Sequence, residues 1–320
     1  MEFSNNIILY KIELTKPLKN NIILGDKKYE ADGMKESILK KIEQGFDGFS
    51  KGQKAIASYI TEHYEKAAYM TAAKLGKLAD VSESTVVRFA CVLGFKGYPE
   101  FQKSLRELVR TNLTSFQRVE VSDSMIGDKD ILTQVVLADV EKLRNTLDTI
   151  DRRAFEDAVD KIIGAKKIYI LGVRSSATLA GFLHYNLQMA FDNLTLVQTT
   201  SGSEMLEQIM RIDKEDAMIA ISFPRYSKRI INAVEFAKHK GANIIALTDT
   251  KASPIAQNAD QVLCASSDMA SFVDSLVAPM SIINAIAVSV AKKKKEELTV
   301  RLKTLEDIWD EYDVYDKDHE

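Results

Sequence analysis

The chain has 320 residues, of which 46% are hydrophobic and 28% are charged, and its net charge at pH 7 is −3. These shares are typical of globular proteins and exclude a wholly disordered chain, and the length favours two domains. Only 14 residues are glycine and 5 are proline. The composition therefore favours helices and argues against an all-β fold with many turns.

Cysteine and histidine are scarce and scattered. Cys91 and Cys264 form no CxxC pair, and the four histidines add no metal-ligand spacing. The chain has neither a Walker loop nor a GxGxxG motif, so we expect no metal ion and no other cofactor. The longest weakly polar stretch, 276–291, has 16 residues, whereas a membrane span needs about 20. With no secretory signal visible either, we expect a reduced, cytoplasmic protein.

Charge is distributed unevenly along the chain. Residues 34–118 contain 14 Lys and Arg against 9 Asp and Glu, whereas residues 119–320 contain 24 against 32. A basic front and an acidic back suggest that only the front meets a polyanion. An excess of this size is also common by chance, so charge alone does not decide the matter.

The front of the chain is predicted to be helical. Residues 1–33 contain short apolar runs without a sustained period, and we expect an extension, with Met34 as an alternative start of the chain. A helical domain is predicted over 34–113, beginning with an amphipathic helix at Met34. Each later helix has its own start signal, a capping side chain or a proline. These signals are Ser50, Thr71, Ser82 and Pro99.

The back of the chain is predicted to be an α/β domain. A polar stretch over 114–127 is interpreted as a linker, and two amphipathic helices follow. Five short apolar, β-rich segments then alternate with helices, which is typical of a parallel sheet covered by helices on both faces. We assign 128–295 to this domain and 296–320 to a C-terminal helix and an acidic tail. The five segments are 167–173, 194–198, 216–223, 243–249 and 260–266.

Residues 71–93 are predicted to form a short helix, a tight turn at 79–81 and a second helix. This is the geometry with which a helix-turn-helix motif places its second helix in the major groove. Small hydroxyl side chains fit close to base edges and phosphates, and arginine is the commonest reader of guanine. An ordinary capped pair of helices remains the alternative. The predicted DNA-contacting residues are Thr71, Ser82, Glu83, Ser84, Thr85 and Arg88; the predicted core residues are Val86, Val87, Ala90 and Leu93.

The same region resembles the N-terminal domain of RpiR/MurR-type bacterial transcriptional regulators. That family carries a run of the form VSxxTVxRFxxxLGFxGyxeFk. Its counterpart here extends from Val81-Ser82 through Arg88-Phe89 and Leu93-Gly94-Phe95 to Phe101. The resemblance covers residues 34–113 and implies DNA binding by this domain.

Two loops of the α/β domain are candidates for a ligand site. In an open parallel sheet, ligands bind beyond the carboxyl ends of the strands. If the strand order is 2-1-3-4-5, the loops 172–176 and 222–228 are neighbours. Both combine hydroxyl and basic side chains with a following helix N-terminus, which favours an anion. For the two serines at 175 and 176, capping of the helix is an equally good interpretation.

Residues 130–290 resemble a sugar isomerase (SIS) domain, which follows the helix-turn-helix domain in the RpiR/MurR family. The resemblance implies a phosphosugar site on the first and third strand loops. The usual third loop reads SxSGxT, whereas this chain has SFPRYS, and Pro224 donates no amide. Either the Arg225 guanidinium takes the place of those amides, or the site binds a different anion. The predicted effector-binding residues are Gly172, Arg174, Ser175, Ser176, Ser222, Arg225 and Ser227.

These patterns favour a regulator over an enzyme. Sugar-phosphate isomerisation needs a general base, and Glu204 and His184 are the candidates, but we assign no catalytic residue. We expect a homo-oligomer, a dimer or a tetramer, that binds a double-stranded DNA operator and senses a phosphosugar or a similar anion. Its assembly surfaces are expected on the helices of 128–163 and at the C-terminus. The alternatives are a phosphosugar isomerase with a helical oligomerisation domain, and a SIS-fold protein whose helical domain binds a protein partner.

Overall fold

The computed structural model describes residues 38–112, 117–119, 130–268 and 273–315. The predicted extension 1–33 lies outside the described residues, as does most of the predicted linker 114–127, so both stay predictions. Within the described part of the chain, no helix is long and apolar enough to cross a membrane.

The described residues 38–112 form a helical domain, as predicted. Three helices begin at the expected caps: the Ser50 side chain accepts from the Gln53 amide in a capping box, Thr71 accepts from Lys74, and Ser82 accepts from Thr85. Pro99 is the second residue of its helix rather than the first. The helices are α1 (Ile38–Gly45), α2 (Lys51–Ala67), α3 (Ala72–Leu78), α4 (Glu83–Val92) and α5 (Tyr98–Asn112).

An aromatic cluster forms the centre of this helical domain. The Phe89 ring packs edge-on against Phe49 and Phe101, with ring centroids 5.2 and 6.2 Å apart. Ile56 on α2 and Leu75 on α3 are fully buried in the same core. Because α4 contributes Phe89 and Val86 from its inner face, its opposite face is left towards solvent.

The α/β domain contains a single five-stranded parallel sheet with the order β2-β1-β3-β4-β5. The predicted fold class is confirmed, and the strand order is the one under which the loops 172–176 and 222–228 are neighbours. The strands are shorter than their apolar runs by one or two residues at most ends. Their bounds are β1 (Ile168–Gly172), β2 (Leu194–Val197), β3 (Ala217–Ile221), β4 (Asn243–Thr248) and β5 (Gln261–Cys264).

Helices cover both faces of the sheet, and two separate cores result. Along β1, Ile168 and Ile170 point into one core while Tyr169 and Leu171 point into the other, as the two-residue period of a strand requires. Every residue of β1 and β3 is buried, which explains their continuous apolar sequences. The helices are α6 (Ile131–Thr149), α7 (Arg152–Gly164), α8 (Ser175–Leu187), α9 (Gly202–Ile209), α10 (Lys228–His239), α11 (Val277–Lys293) and α12 (Lys295–Glu311).

Candidate nucleic-acid interface and anion site

The turn between α3 and α4 is tight and depends on a glycine. Asp80 has a left-handed backbone with φ 53°, and the Val81 amide donates to the Gly76 carbonyl at 2.8 Å. A Cβ atom on Gly76 would lie 2.8 Å from the Val81 carbonyl oxygen. Only glycine therefore lets α4 approach α3 this closely.

Replacing Gly76 by alanine is expected to displace the start of α4. The added methyl group meets backbone atoms of the turn, which cannot move aside as a flexible side chain can. We expect operator affinity to fall at least about tenfold, while circular dichroism still shows a folded α/β domain. Gly48→Ala is the matched control, since a Cβ there meets nothing within 4 Å. Unchanged DNA binding by Gly76→Ala would show that DNA binding does not depend on the close packing of α4 against α3 at this glycine.

The first turn of α4 presents a connected set of hydroxyl groups. The Ser82 hydroxyl lies 2.9 Å from that of Ser84 and 2.8 Å from that of Thr85. Arg88 donates to the Ser84 hydroxyl at 3.5 Å. Ser82, Glu83, Ser84 and Arg88 are exposed and Thr85 is half-buried, whereas Thr71 is an exposed cap at the start of α3. The structure thus places Ser82 at the cap of α4, the other four predicted contact residues on its first two turns, and Thr71 at the cap of the preceding helix.

Val87 was wrongly predicted to lie in the core. Its side chain is 38% exposed, whereas Val86 and Ala90 are buried. On a helix, Val86, Phe89, Ala90 and Leu93 share the inner stripe, and Val87 lies about 100° away. It therefore belongs to the outward face, three residues after Ser84. This spacing in the sequence was the signal that could have found it.

Tyr98, a residue of the family motif, is hydrogen-bonded to the segment between α2 and α3. Its hydroxyl donates to the Met70 carbonyl at 2.7 Å, and Arg106 on the same helix donates to the Ala68 carbonyl at 3.0 Å. Burial raises the pKa of Tyr98 to about 12, and the charge of Arg106 opposes this only in part. The α5 helix thus holds the segment that follows α2.

The raised pKa of Tyr98 predicts a loss of stability at alkaline pH. Tyr98 keeps its full contribution below its ordinary pKa of 10.0 and loses it as the pH rises through about 12, because the folded state disfavours the phenolate. Tyr98→Phe is expected to cost about 0.5–1.5 kcal/mol at pH 8. It should also flatten the decline between pH 10 and 12. Urea unfolding followed by circular dichroism from pH 8 to pH 12 measures the free energy of unfolding of both proteins. If that free energy declined in parallel for the native protein and Tyr98→Phe, the assignment to Tyr98 would be contradicted.

The carboxyl ends of the first three strands lie at one edge of the sheet. Gly172 is in register with Ile221, and Leu171 is in register with Val197. A Cβ atom on Gly172 would lie 2.3 Å from the Ser176 carbonyl oxygen. The close approach of β1 to the first turn of α8 therefore requires glycine.

The predicted effector-binding residues lie on two adjacent strand ends, as expected. Arg174 follows β1 and Arg225 follows β3, and both are exposed, with left-handed backbones of φ 57° and 66°. Ser175 is also exposed, whereas Ser176 and Ser222 are only 6% and 4% exposed. The capping position of α8 is Arg174, and no side chain caps the helix there. The alternative that Ser175 and Ser176 cap this helix is therefore wrong.

The SFPRYS loop is hydrogen-bonded to β4 and to the residue that follows β4. The Ser222 amide donates to the Leu247 carbonyl at 3.1 Å, and the Tyr226 hydroxyl donates to the Asp249 carboxylate at 2.7 Å. Pro224 is buried between these two anchors. Ser227 occupies the capping position of α10 but makes no capping hydrogen bond. The loop is thus held by its aromatic and proline side chains, with the Arg225 side chain on the outside.

A third polar loop, which the sequence analysis did not include in the site, follows β2. The Thr199 hydroxyl donates to the exposed Glu204 carboxylate, and the Ser201 and Ser203 hydroxyls lie 2.8 Å apart. Arg229 on α10 donates to the Thr200 carbonyl. The polar run TTSGSE directly after an apolar strand was the available signal. By contrast, His184 is half-buried in the middle of α8.

Two family models match the chain. Residues 36–111 match the helix-turn-helix domain of the rpiR family, and residues 161–289 match the SIS domain. The first range contains the α4 face, and the second contains all three strand-end loops.

Several bacterial regulators are similar to this chain over most of its length. An uncharacterised helix-turn-helix-type transcriptional regulator of Caldanaerobacter subterraneus subsp. tengcongensis is 25% identical, covering 85% of this chain and 96% of that protein. The transcriptional regulator HexR of Pseudomonas aeruginosa is 22% identical, covering 85% and 95%. HexR of Escherichia coli is 26% identical, covering 70% and 75%.

Two solved structures share the fold. The NanR protein of Vibrio vulnificus, complexed with ManNAc-6P, has a TM-score of 0.53 and is 22% identical, covering 85% of this chain and 97% of that chain. The sugar isomerase domain of an RpiR transcription factor from Sphaerobacter thermophilus has a TM-score of 0.53. It is 29% identical, covering 56% and 99%.

Proposed function

The chain belongs to the RpiR family through its helix-turn-helix domain and carries a SIS domain behind it, and we propose that it is a transcriptional regulator controlled by a phosphorylated sugar. The observation that carries this proposal is the pairing of an outward polar face on α4 with an anion-suited edge of the sheet. Since the similar regulators are bacterial, and bacterial DNA lies in the cytoplasm, we place the protein there.

The α4 face supports sequence-specific DNA binding. Its hydroxyl groups are short and connected, so they fit close to base edges and phosphates. In this proposal Arg88, one turn after Ser84, reads a guanine, and Glu83 at the first position accepts from cytosine. Thr71, at the N-terminus of α3, would contact the phosphate backbone.

Val87 adds an apolar element to this face, and we propose that it contacts the methyl group of a thymine. Replacing that thymine by uracil in the operator should weaken binding of the native protein about fourfold, the effect of about 0.8 kcal/mol for one buried methyl group. Val87→Ala should bind both duplexes equally. Anisotropy titrations of the two duplexes measure this. If Val87→Ala distinguished thymine from uracil as strongly as the native protein does, Val87 would not make the contact.

The strand-end loops support an anionic effector. The strand-end residues that favour phosphate or carboxylate are two arginines on neighbouring strands and the hydroxyls of Ser176 and Ser222, and two helix N-termini lie beside them. Gly172 and Ser175 place the backbone and a hydroxyl at the same edge, and Ser227 is the capping residue of α10. The NanR complex with ManNAc-6P is consistent with a phosphosugar effector, and the genes under control would then serve carbohydrate metabolism.

We further propose that the protein is a homo-oligomer, a dimer or a tetramer. One helix-turn-helix motif buries too little surface to be selective, and a symmetric dimer reads two half-sites about 34–36 Å apart. The effector would favour one relative placement of the two DNA-binding domains and so change operator affinity.

Fluorescence anisotropy with the DNA upstream of the protein's own gene tests the proposal directly. Binding at least about a thousandfold tighter than to random DNA at physiological salt is expected of a specific regulator. Phosphosugars are then added to find the effector. Equal, salt-sensitive binding to both duplexes, together with turnover of a sugar phosphate, would instead favour the isomerase alternative.

A further inference from the structure

Arg118 is buried although it lies between the two domains along the chain. Residues 117–119 are the described part of the predicted linker 114–127. The Arg118 side chain is 2% exposed and donates to the Asp274 carboxylate at 2.8 Å, and the Asp274 side chain is 15% exposed. A buried guanidinium needs such a partner, because the loss of its hydration is costly. The ion pair therefore attaches this segment to the α/β domain.

The segment that carries Asp274 belongs to a buried polar cluster. It connects β5 to α11, so it begins at the same edge of the sheet as the proposed anion site. The Ser275 hydroxyl donates to the Asp139 carboxylate on α6 at 2.6 Å, and the Ser267 hydroxyl donates to the Ser275 carbonyl at 3.1 Å. Half of the ten polar or charged residues that are buried in the described part of the chain lie in this cluster: Arg118, Lys142, Thr146, Ser267 and Ser275.

Hydrogen bonds also connect this segment to the SFPRYS loop. Tyr226 in that loop and Thr248 at the end of β4 both donate to the Asp249 carboxylate, at 2.7 and 3.1 Å. The Thr248 carbonyl accepts from the amide of Ala265, the residue directly after β5, at 2.8 Å. Ala265 begins the segment that leads to Asp274. A displacement of the SFPRYS loop therefore reaches the ion pair through hydrogen-bonded neighbours.

We propose that the Arg118–Asp274 ion pair is a latch through which the SFPRYS loop controls the segment that leads out of the DNA-binding domain. With the latch closed, this segment is held on the α/β domain; with the latch open, the DNA-binding domain is joined to it by a looser connection. A buried ion pair adds little net stability, so positioning explains its presence better than stability does. The inference rests on the proposed function and assigns the residues that couple its two sites.

Chemical labelling of arginine tests the latch in the full chain without DNA or effector. Phenylglyoxal reacts with accessible guanidinium groups, and peptide mass spectrometry gives the rate at each arginine. In the native protein, Arg118 should react at least about tenfold more slowly than Arg211, which is exposed. Asp274→Asn should remove most of this protection, whereas Asp274→Glu, which keeps the charge, should retain it. Equal rates at Arg118 and Arg211 in the native protein, or equal protection of Arg118 in the two Asp274 variants, would overturn the proposal.

The same label tests the connection between the latch and the SFPRYS loop. Tyr226→Phe removes only the hydroxyl that holds this loop to Asp249, and it should raise the labelling rate of Arg118 about two- to tenfold. Tyr185→Phe, at an exposed position on α8, is the matched control and should leave that rate unchanged. If Arg118 were equally protected in the two variants, the loop would not control the latch, and the proposal would be wrong.

Operator titrations distinguish this inference from the proposed function. Asp274→Asn should weaken operator binding at least about fivefold, because a looser connection lowers the effective concentration of the second DNA-binding domain. Glu215→Gln, the same change in the exposed ion pair with Lys166, should leave the affinity unchanged. An affinity of Asp274→Asn equal to that of the native protein would overturn the latch. If the native protein bound no operator, the proposed function would fail, while the labelling rates would still decide whether the latch exists.

Discussion

Arg88→Ala should reduce operator affinity about 5- to 150-fold, the equivalent of about 1–3 kcal/mol for a bidentate contact to guanine. Arg88 is exposed on the outward face of α4 and contacts only the Ser84 hydroxyl among the hydrogen bonds described for it. It contributes nothing to the aromatic core. The loss should therefore come from recognition and not from unfolding.

The comparison needs a control of the same residue type and a mismatched operator. Arg211→Ala, at an exposed position between α9 and β3, removes the same charge outside the helical domain and the expected assembly helices, and it should leave the affinity unchanged. If Arg88 contacts a base, a mismatch at that position of the operator should weaken binding by the native protein but not by Arg88→Ala. If Arg88→Ala lost the same affinity for every DNA sequence, and its affinity depended less steeply on salt concentration, Arg88 would instead contact a phosphate. Unchanged affinity would remove it from the interface.

Ser175→Ala combined with Arg225→Ala should abolish the response to effector while DNA binding stays intact. Both side chains are exposed at neighbouring strand ends, and a hydrogen bond to a charged ligand group contributes about 1.5–3 kcal/mol. Loss of both should weaken effector affinity by at least about a hundredfold. Isothermal titration with candidate phosphosugars, followed by operator binding with and without each sugar, measures the two effects separately.

The backbone at position 225 needs its own control. Arg225 has a φ of 66°, where alanine is also strained, so Arg225→Gly removes the guanidinium and relaxes the backbone. Both variants should lose the effector equally if the guanidinium binds it. Recovery of the response in Arg225→Gly would show that the side chain has no part in the site. Loss of operator binding along with the response would show that these residues support the fold instead.

Local patterns in the sequence were sufficient for most of the secondary structure. Capping side chains act within three residues, so Ser50, Thr71 and Ser82 could be assigned without tertiary information. The continuous apolar runs of β1 and β3 likewise predict buried parallel strands. The alternation of strands and helices predicts five parallel strands, whereas their order is shown by the structure.

Errors arose where one feature has two local interpretations. Val87 is apolar and adjacent to a core residue, so its residue type alone favoured burial. Its position around the helix axis shows that it faces solvent. The serines at 175 and 176 are good caps by type, but the chain turns through a left-handed Arg174 and begins α8 there. Propensity describes a residue type, whereas the cap position depends on the backbone path.

The sequence by itself determined the two domain types, the polar face of α4 and the two strand loops of the proposed anion site. These follow from periodicity, capping and the apolar runs, which are properties of neighbouring residues. Only the tertiary structure decided the contacts between distant segments. Two contacts are of this kind: the hydrogen bond between Tyr226 and Asp249, and the one that joins Arg229 to the loop after β2. They depend on which elements pack together in space, and residue spacing along the chain does not encode that.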